Sequence, residues 1–91
     1  MSFNHPKVSV VLPFFNAEKT LHRAIESIQK QEFVDFECLL VDNNSSDRSG
    51  EIADQWIGRD ERFKLLSESR QGVMFASNRG AEQSLGEYVA R

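Results

Sequence analysis

The sequence predicts an α/β fold in which a parallel β-sheet carries helices on both faces. Short apolar, β-branched segments alternate along the chain with segments whose apolar residues recur every three or four positions. The resulting order is β-α-β-α-β-α-β, and this alternation is typical of parallel strands joined by right-handed crossovers. The chain has 91 residues, so we expect 1–91 to form a single small domain.

The strands are predicted from apolar runs bounded by polar residues. They are expected near residues 8–14, 37–42, 63–67 and 87–91. The first, in VSVVLPFF, is nearly all apolar, as is typical of a strand covered on both faces. Cys38 lies within the second and is interpreted as a small buried side chain. As the single cysteine it cannot form an internal disulfide, which suits a reducing compartment.

Three segments between the strands have amphipathic helical spacing. They are expected at 17–30, from just after Ser46, and at 73–85. Asn16 is expected to cap the first helix and Ser46 the second, because their side-chain oxygens accept bonds from free N–H groups. Asp47 is expected in the first turn of the second helix, where its negative charge interacts favourably with the positive end of the helix dipole. Gly86 is placed to end the third helix.

Composition excludes several classes of function. The formal net charge is −3 and no basic patch is visible, so no nucleic-acid partner is expected. His5 and His22 lack Cys or acidic partners at zinc-ligand spacing, so no zinc site is expected.

The start MSFNHPK does not have the character of a signal peptide, and no apolar run approaches the roughly 20 residues that cross a bilayer. We expect a cytoplasmic location, with membrane association left open for a longer parent protein.

Polar segments follow the first three strands. They are PFFN (13–16), DNNSSD (42–47) and SESRQG (67–72). The carboxyl ends of parallel strands share one edge, where open α/β sheets bind ligands. No glycine-rich phosphate loop follows the first strand, and Asp42 would repel a phosphate. A carboxylate suits instead the N–H of a base or the hydroxyls of a ribose, to which it forms short, strong hydrogen bonds.

Four motifs, in order, resemble the first half of a family 2 glycosyltransferase of the GT-A fold. They are PFFN at 13–16, DNNSSD at 42–47, the set Gly72, Asn78 and Gly80, and GEY at 86–88. The resemblance runs from Val8 to Arg91. The chain departs from the family pattern at Asn43, where a second Asp is common, and at Asn44, where Gly is common.

The resemblance implies a Rossmann-like, three-layer α/β/α domain, a truncated GT-A domain with strand order 3-2-1-4. It implies a nucleoside-diphosphate-sugar donor, UDP-linked as the leading expectation, and a role in cell-wall or polysaccharide biosynthesis. Asp42 would accept the base N3–H, while the segment after Pro13 would line the base and ribose. The candidate nucleotide-binding residues are Pro13, Phe14, Phe15, Asn16, Glu18, Asp42, Asn44, Ser45, Arg70 and Gly72.

No catalytic residue and no metal ligand is assigned within 1–91. In the family, an Asp-x-Asp motif just past the fourth strand holds the metal, so Mn²⁺ or Mg²⁺ is expected for the full-length enzyme and no cofactor for this fragment. We expect the fragment to bind nucleotide weakly and to transfer no sugar alone. We also expect a homodimer, through the exposed edge of the fourth strand or through the third helix.

Simpler interpretations remain open. Asp42 could serve only as a turn residue, Asn16 only as a helix cap, and Phe14 and Phe15 only as core. A non-catalytic nucleotide-binding or signalling module is the alternative function. A receiver-like domain gathers acids at the end of its first strand, and PFFN has none, which counts against it. A chain that folds or assembles without binding a ligand is a third possibility.

Overall fold

The computed structural model describes residues 8–30, 36–83 and 88–90. The strands are β1 (Val8–Phe14), β2 (Phe36–Asp42), β3 (Phe63–Ser67) and β4 (Tyr88–Ala90); the helices are α1 (Leu21–Gln29), α2 (Ser49–Arg59) and α3 (Val73–Gln83). All strand pairs are parallel, and the order is β3-β2-β1-β4. The predicted α/β class, element order and strand order are confirmed.

Alternating side chains of β2 bury two different cores. Cys38 and Leu40 pack with Trp56 of α2 and other large side chains on one face. Leu39 and Val41 pack on the other face, in a smaller cluster that includes a residue of α3. This alternation follows from the two-residue repeat of a strand. It gives the predicted three layers, with α1 and α2 on one side of the sheet and α3 on the other.

Cys38 is fully buried, as predicted. Burial and, to a lesser extent, the neighbouring Glu37 carboxylate together raise the pKa of its thiol to about 12. Glu37 is itself buried, accepting a hydrogen bond from Ser9 Oγ at 2.6 Å and one from Lys64 Nζ at 2.9 Å. A buried carboxylate needs such partners, and the sequence did not suggest this one.

Gly80 brings α3 close to the sheet. A Cβ atom at this position would collide with Cγ1 of Val11 in β1 and would lie 3.1 Å from its Cγ2. The helix therefore rests directly on β1 at a place where only a hydrogen fits. The motif glycine has a packing role here.

Both predicted N-terminal helix caps, Asn16 and Ser46, are wrong. α1 begins at Leu21, after a turn over 17–20, and its N-cap is Thr20. Asn16 has φ 48°, whereas a capping residue has an extended backbone. α2 begins after Arg48, so Ser46 lies too early to cap it.

Several predictions fall outside the described residues. These are the last turn of the third helix at Leu85, the cap at Gly86, and the ends of the fourth strand at Glu87 and Arg91. Within the described part of the chain, no helix combines the length and hydropathy needed to cross a membrane.

Candidate functional site

The loops after β1, β2 and β3 meet at one edge of the sheet, as predicted. Asp42 pairs with Phe14 on one side and with Ser67 on the other. The ladder continues into the loops, because Asn43 N donates to Phe14 O and Glu68 N donates to Asp42 O, each at 2.9 Å. The residues that follow each strand are therefore held in a fixed register.

Asn16 joins the first loop to the second. Its side-chain oxygen accepts hydrogen bonds from Ser46 N at 2.8 Å and from Asp47 N at 3.3 Å. Its own N–H donates to Ser45 Oγ at 3.0 Å. Asn16 and Ser45, both predicted to contact a nucleotide, thus hold the two loops together.

Glu18 and Asp47 complete this connection. Asp47 accepts bonds from Glu18 N at 3.1 Å, from Ser49 N at 2.9 Å and from Ser49 Oγ at 2.6 Å. Glu18 accepts a bond from Arg48 N at 3.3 Å. Desolvation raises the pKa of Asp47, but the hydrogen bonds from Ser49 and Glu18 outweigh it, and the net pKa is lowered. The prediction that Asp47 lies in the first turn of α2 is wrong, because the helix begins at Ser49. Asp47 stabilises the start of α2 from just outside the helix, by accepting the Ser49 N–H.

Asp42 lies at the end of β2 with one oxygen committed to a turn. Its Oδ1 accepts Ser45 N–H at 2.9 Å. Its Oδ2 faces α2, where a Cβ at Gly50 would stand only 3.1 Å away. The interpretation of Asp42 as a turn residue therefore holds for its Oδ1 atom.

Asn44, where the family pattern has Gly, has φ 66°, a left-handed conformation that Asn tolerates better than most residues.

Asn43 is a residue that the sequence analysis did not select. Its side-chain NH₂ donates to Glu68 O at 2.9 Å and to Arg70 O at 2.7 Å. Its side-chain oxygen accepts Gly72 N–H at 3.0 Å, and its main-chain oxygen accepts Gln71 Nε2–H at 2.9 Å. The only sequence signal was its departure from the family pattern.

Arg70 was predicted to reach the base or the phosphates, and here it pairs with Glu68. The guanidinium donates from Nε to Oε2 and from Nη2 to Oε1, both at 3.0 Å. It also lies over the ring of Phe75, 4.7 Å from the centroid. The Arg70 hydrogen bonds lower the pKa of Glu68 to about 2. Glu68 is buried and had not been selected from the sequence.

Two cavities lined by described residues open at this edge. The apolar cavity, of about 260 Å³, is lined by Pro13, Phe14, Phe15, Asn43, Gln71 and Gly72. The polar cavity, of about 160 Å³, is lined by Asp42, Asn44, Ser45, Ser67, Glu68 and Ser69. Seven of the predicted residues thus line a cavity, while Asn16, Glu18 and Arg70 lie in the surrounding loops. Phe14 is buried in the core, whereas Phe15 is 50% exposed.

The described residues do not form a metal centre. Among residues 8–30, 36–83 and 88–90, no three His, Cys, Asp or Glu side chains are arranged to hold an ion. The Mn²⁺ or Mg²⁺ that the resemblance implies for a full-length enzyme is therefore not assigned to these side chains.

The fold and the candidate site define a class of protein: a parallel α/β domain whose polar loops meet at the carboxyl ends of its strands, where open sheets of this kind bind ligands. The family model "Glycosyl transferase family 2" matches residues 9–91. The chain belongs to glycosyl transferase family 2, and the resemblance seen in the sequence is confirmed.

Similar proteins agree with this assignment. A β-1,3-glucosyltransferase of Campylobacter jejuni that acts on GalNAc(5)-diNAcBac-PP-undecaprenol is 40% identical over 92% of this chain and 28% of its own length. S. aureus TarS 1-349 in complex with UDP is 28% identical with a TM-score of 0.78, over 91% of this chain and 25% of that one.

A mannosyltransferase from Pyrobaculum calidifontis, in complex with GDP-Man and Mn²⁺, shares the fold. Its TM-score is 0.84 at 24% identity, over 93% of this chain and 26% of that one. The chain spans about a quarter of the length of the first curated relatives that it matches, 24% in one case and 28% in another.

Proposed function

We propose that this chain forms the donor-nucleotide site of a glycosyltransferase and that the nucleotide is UDP. The observation that carries the proposal is the Asp42 carboxylate, which lies at the end of β2 and lines the polar cavity. A carboxylate accepts a strong, charge-assisted hydrogen bond from a base N–H. The serine hydroxyls around it both donate and accept, which suits a ribose.

The commitment of one Asp42 oxygen favours uracil over guanine. Guanine presents N1–H and N2–H₂ side by side, a pair that matches both oxygens of one carboxylate. Asp42 Oδ1 already accepts the Ser45 N–H. The bond to Ser45 fixes the orientation of the carboxylate and makes a paired approach of both guanine donors harder than the approach of the single uracil N3–H. The UDP complex of S. aureus TarS supports the same choice.

We extend the proposal of sugar transfer to the whole protein. The products would be cell-wall or other polysaccharide glycans. Residues outside the described part of the chain would bind the Mn²⁺ or Mg²⁺. The protein would be located in the cytoplasm. That the 91-residue chain binds nucleotide weakly and does not transfer sugar by itself stays a prediction, which a transfer assay with UDP-sugars checks.

Replacing Asp42 tests the nucleotide site. Titration calorimetry with UDP should show Asp42→Ala binding about 10- to 150-fold more weakly than wild type, because a hydrogen bond to a charged group contributes about 1.5–3 kcal/mol. Asp54→Ala is the matched control, since it removes the same charge from an exposed position on α2. Equal affinities of Asp42→Ala and wild type would refute the assignment. A wild type that binds no UDP would favour a non-catalytic α/β module.

A homodimer is part of the proposal. β4 is an edge strand of the described sheet, and an edge strand pairs readily with another chain. On α3, Met74 is 74% and Phe75 41% exposed. Light scattering at micromolar concentration should give twice the monomer mass, and Met74→Asp should shift it toward the monomer. A monomeric wild type would contradict this part of the proposal.

A further inference from the structure

We propose that Ser49 is a positioning residue of this nucleotide site and that it acts by fixing Phe15 at the apolar cavity. This role rests on the proposed function, because the ligand that Phe15 would contact is the proposed UDP. Ser49 is the first residue of α2, is fully buried and lines neither of the two cavities. It had not been selected from the sequence.

The hydroxyl of Ser49 links the beginnings of two helices. Its oxygen accepts the Ala17 N–H at 2.7 Å, and its O–H donates to Asp47 Oδ1 at 2.6 Å. The carbonyl of Ala17 in turn accepts Thr20 N–H at 3.0 Å and Leu21 N–H at 2.8 Å, where α1 begins. Ala17 is therefore held at its N–H by α2 and at its carbonyl by α1.

Phe15 lies in a two-residue segment between two fixed points. Phe14 is the last residue of β1, and its carbonyl accepts Asn43 N–H at 2.9 Å. Only Phe15 and Asn16 separate this strand end from Ala17. The backbone of so short a segment cannot shift far unless one of its ends is released. The Ala17 N–H is the end that a side chain holds, so its acceptor determines where the Phe15 ring lies.

Burial makes the bond to Ser49 the one on which this segment depends. The N–H groups of Asn16 and Glu18 also donate to side chains of the loop after β2, but both bonds are exposed. The bond from Ala17 to Ser49 is partly buried, and Ala17 packs against the core on the α1 and α2 side of the sheet. Water can replace an exposed acceptor at little cost, whereas a donor inside the protein that loses its acceptor is left unpaired. Without the hydroxyl, the Ala17 N–H would turn toward water and the segment before it would move.

The test combines Ser49→Ala with Phe15→Ala in a double-mutant cycle. UDP affinity is measured by calorimetry per folded molecule, with the folded fraction taken from thermal melts, so that a loss of stability alone does not change it. If Ser49 acts through Phe15, removing the hydroxyl costs no more affinity than removing the ring, and it costs little once the ring is gone. Ser27→Ala is the matched control, since it removes a hydroxyl from an exposed position on α1.

We expect Ser49→Ala to weaken UDP binding about three- to fivefold in the wild-type background and less than about twofold in the Phe15→Ala background. Ser27→Ala should leave the affinity unchanged in both. An equal loss in the two backgrounds, or wild-type affinity in Ser49→Ala, would overturn the proposal.

Amide hydrogen exchange supplies a readout that needs neither ligand nor variant. In the wild type, the protection factor of Ala17 N–H should be at least about tenfold larger than those of Asn16 and Glu18, because its bond alone among the three is partly buried. Equal protection of the three groups would overturn the role of Ser49. A protected Ala17 in a chain that binds no UDP would instead refute the proposed function and leave the contact between Ser49 and Ala17 standing.

Discussion

The polar and the apolar cavity differ in chemistry, although the last residue of β2 and the residue directly after it line them. Asp42 faces the α2 side of the sheet and lines the polar cavity, whereas Asn43 lines the apolar cavity near Phe15. Because Asn43 N continues the hydrogen-bond ladder past the end of β2, successive side chains here point to opposite faces of the sheet. A nucleotide has a base edge that forms hydrogen bonds and a flat apolar ring face. Two cavities of unlike character, side by side, suit such a ligand better than either cavity alone.

The largest effect is expected on the apolar side, where α3 rests on β1. Gly80→Ala places a methyl group into Val11 and should lower the free energy of unfolding by about 1–3 kcal/mol. Thermal melts should show a fall of about 4–8 °C for each kcal/mol in a domain this small. Gly58→Ala is the control, because it meets open space in α2 and should stabilise the helix by up to about 1 kcal/mol. Equal melting temperatures for the two variants would contradict the close packing.

Phe15 tests whether the apolar cavity receives the ligand. Phe15→Ala should weaken UDP binding about fivefold, about 1 kcal/mol, because a stacking surface is lost. Its melting temperature should stay close to that of the wild type, since the ring is half exposed. Met74→Ala, an exposed apolar change on α3, serves as the control in the same titration. Unchanged affinity in Phe15→Ala would restrict binding to the polar cavity.

A smaller effect is expected from Gly50, which leaves room for Asp42. Alanine there would stand 3.1 Å from Asp42 Oδ2, so the carboxylate must shift by a few tenths of an ångström. We expect a loss of UDP affinity of about twofold, since hydrogen bonds weaken with poorer geometry. Gly58→Ala should have no effect on affinity. A Gly50→Ala variant that binds better than wild type would show that Asp42 is not oriented by this contact.

The smallest effect is that of acid on Glu68. Its folded pKa is about 2, below the usual 4.5, because Arg70 donates hydrogen bonds to the carboxylate. The ionised group therefore contributes stability above about pH 4.5, and this contribution is lost as the pH falls toward 2. Urea midpoints measured through this range should fall less steeply in Glu68→Gln than in wild type. The difference should be small because the Arg70 side chain is 65% exposed, and an identical slope would show that the pair does not affect stability.

The strands could be predicted because apolar, β-branched runs and their alternation with helices are local signals, whereas the strand order was implied by the family resemblance. The helix starts could not. Asn16 and Ser46 have the side chains of helix caps, but Asn16 bonds to the backbone of Ser46 and Asp47 instead. That partner lies 30 residues away in sequence, and no local pattern reveals it.

Candidate site residues could be predicted where their place at the end of a strand selects them. They could not be predicted where contacts with residues distant in sequence define them. Asp42 could be selected because it ends a buried strand at the edge where open α/β sheets bind ligands. Asn43 was missed because its partners, from Glu68 to Gly72, lie 25–29 residues further along the chain. The available clue was that Asn43 stands where the family pattern commonly has Asp. The amide of Asn adds two hydrogen-bond donors beside the end of the strand.

The contact between Asp42 and the base can be measured with UDP and N3-methyl-UDP on wild type and Asp42→Ala. The methyl group removes the N3–H and leaves the ribose and diphosphate unchanged. Wild type should bind N3-methyl-UDP about 10- to 150-fold more weakly than UDP, whereas Asp42→Ala should bind both equally, because the two changes remove the same hydrogen bond. Wild type that binds both nucleotides with the same affinity would contradict the role of Asp42 as the group that reads the base.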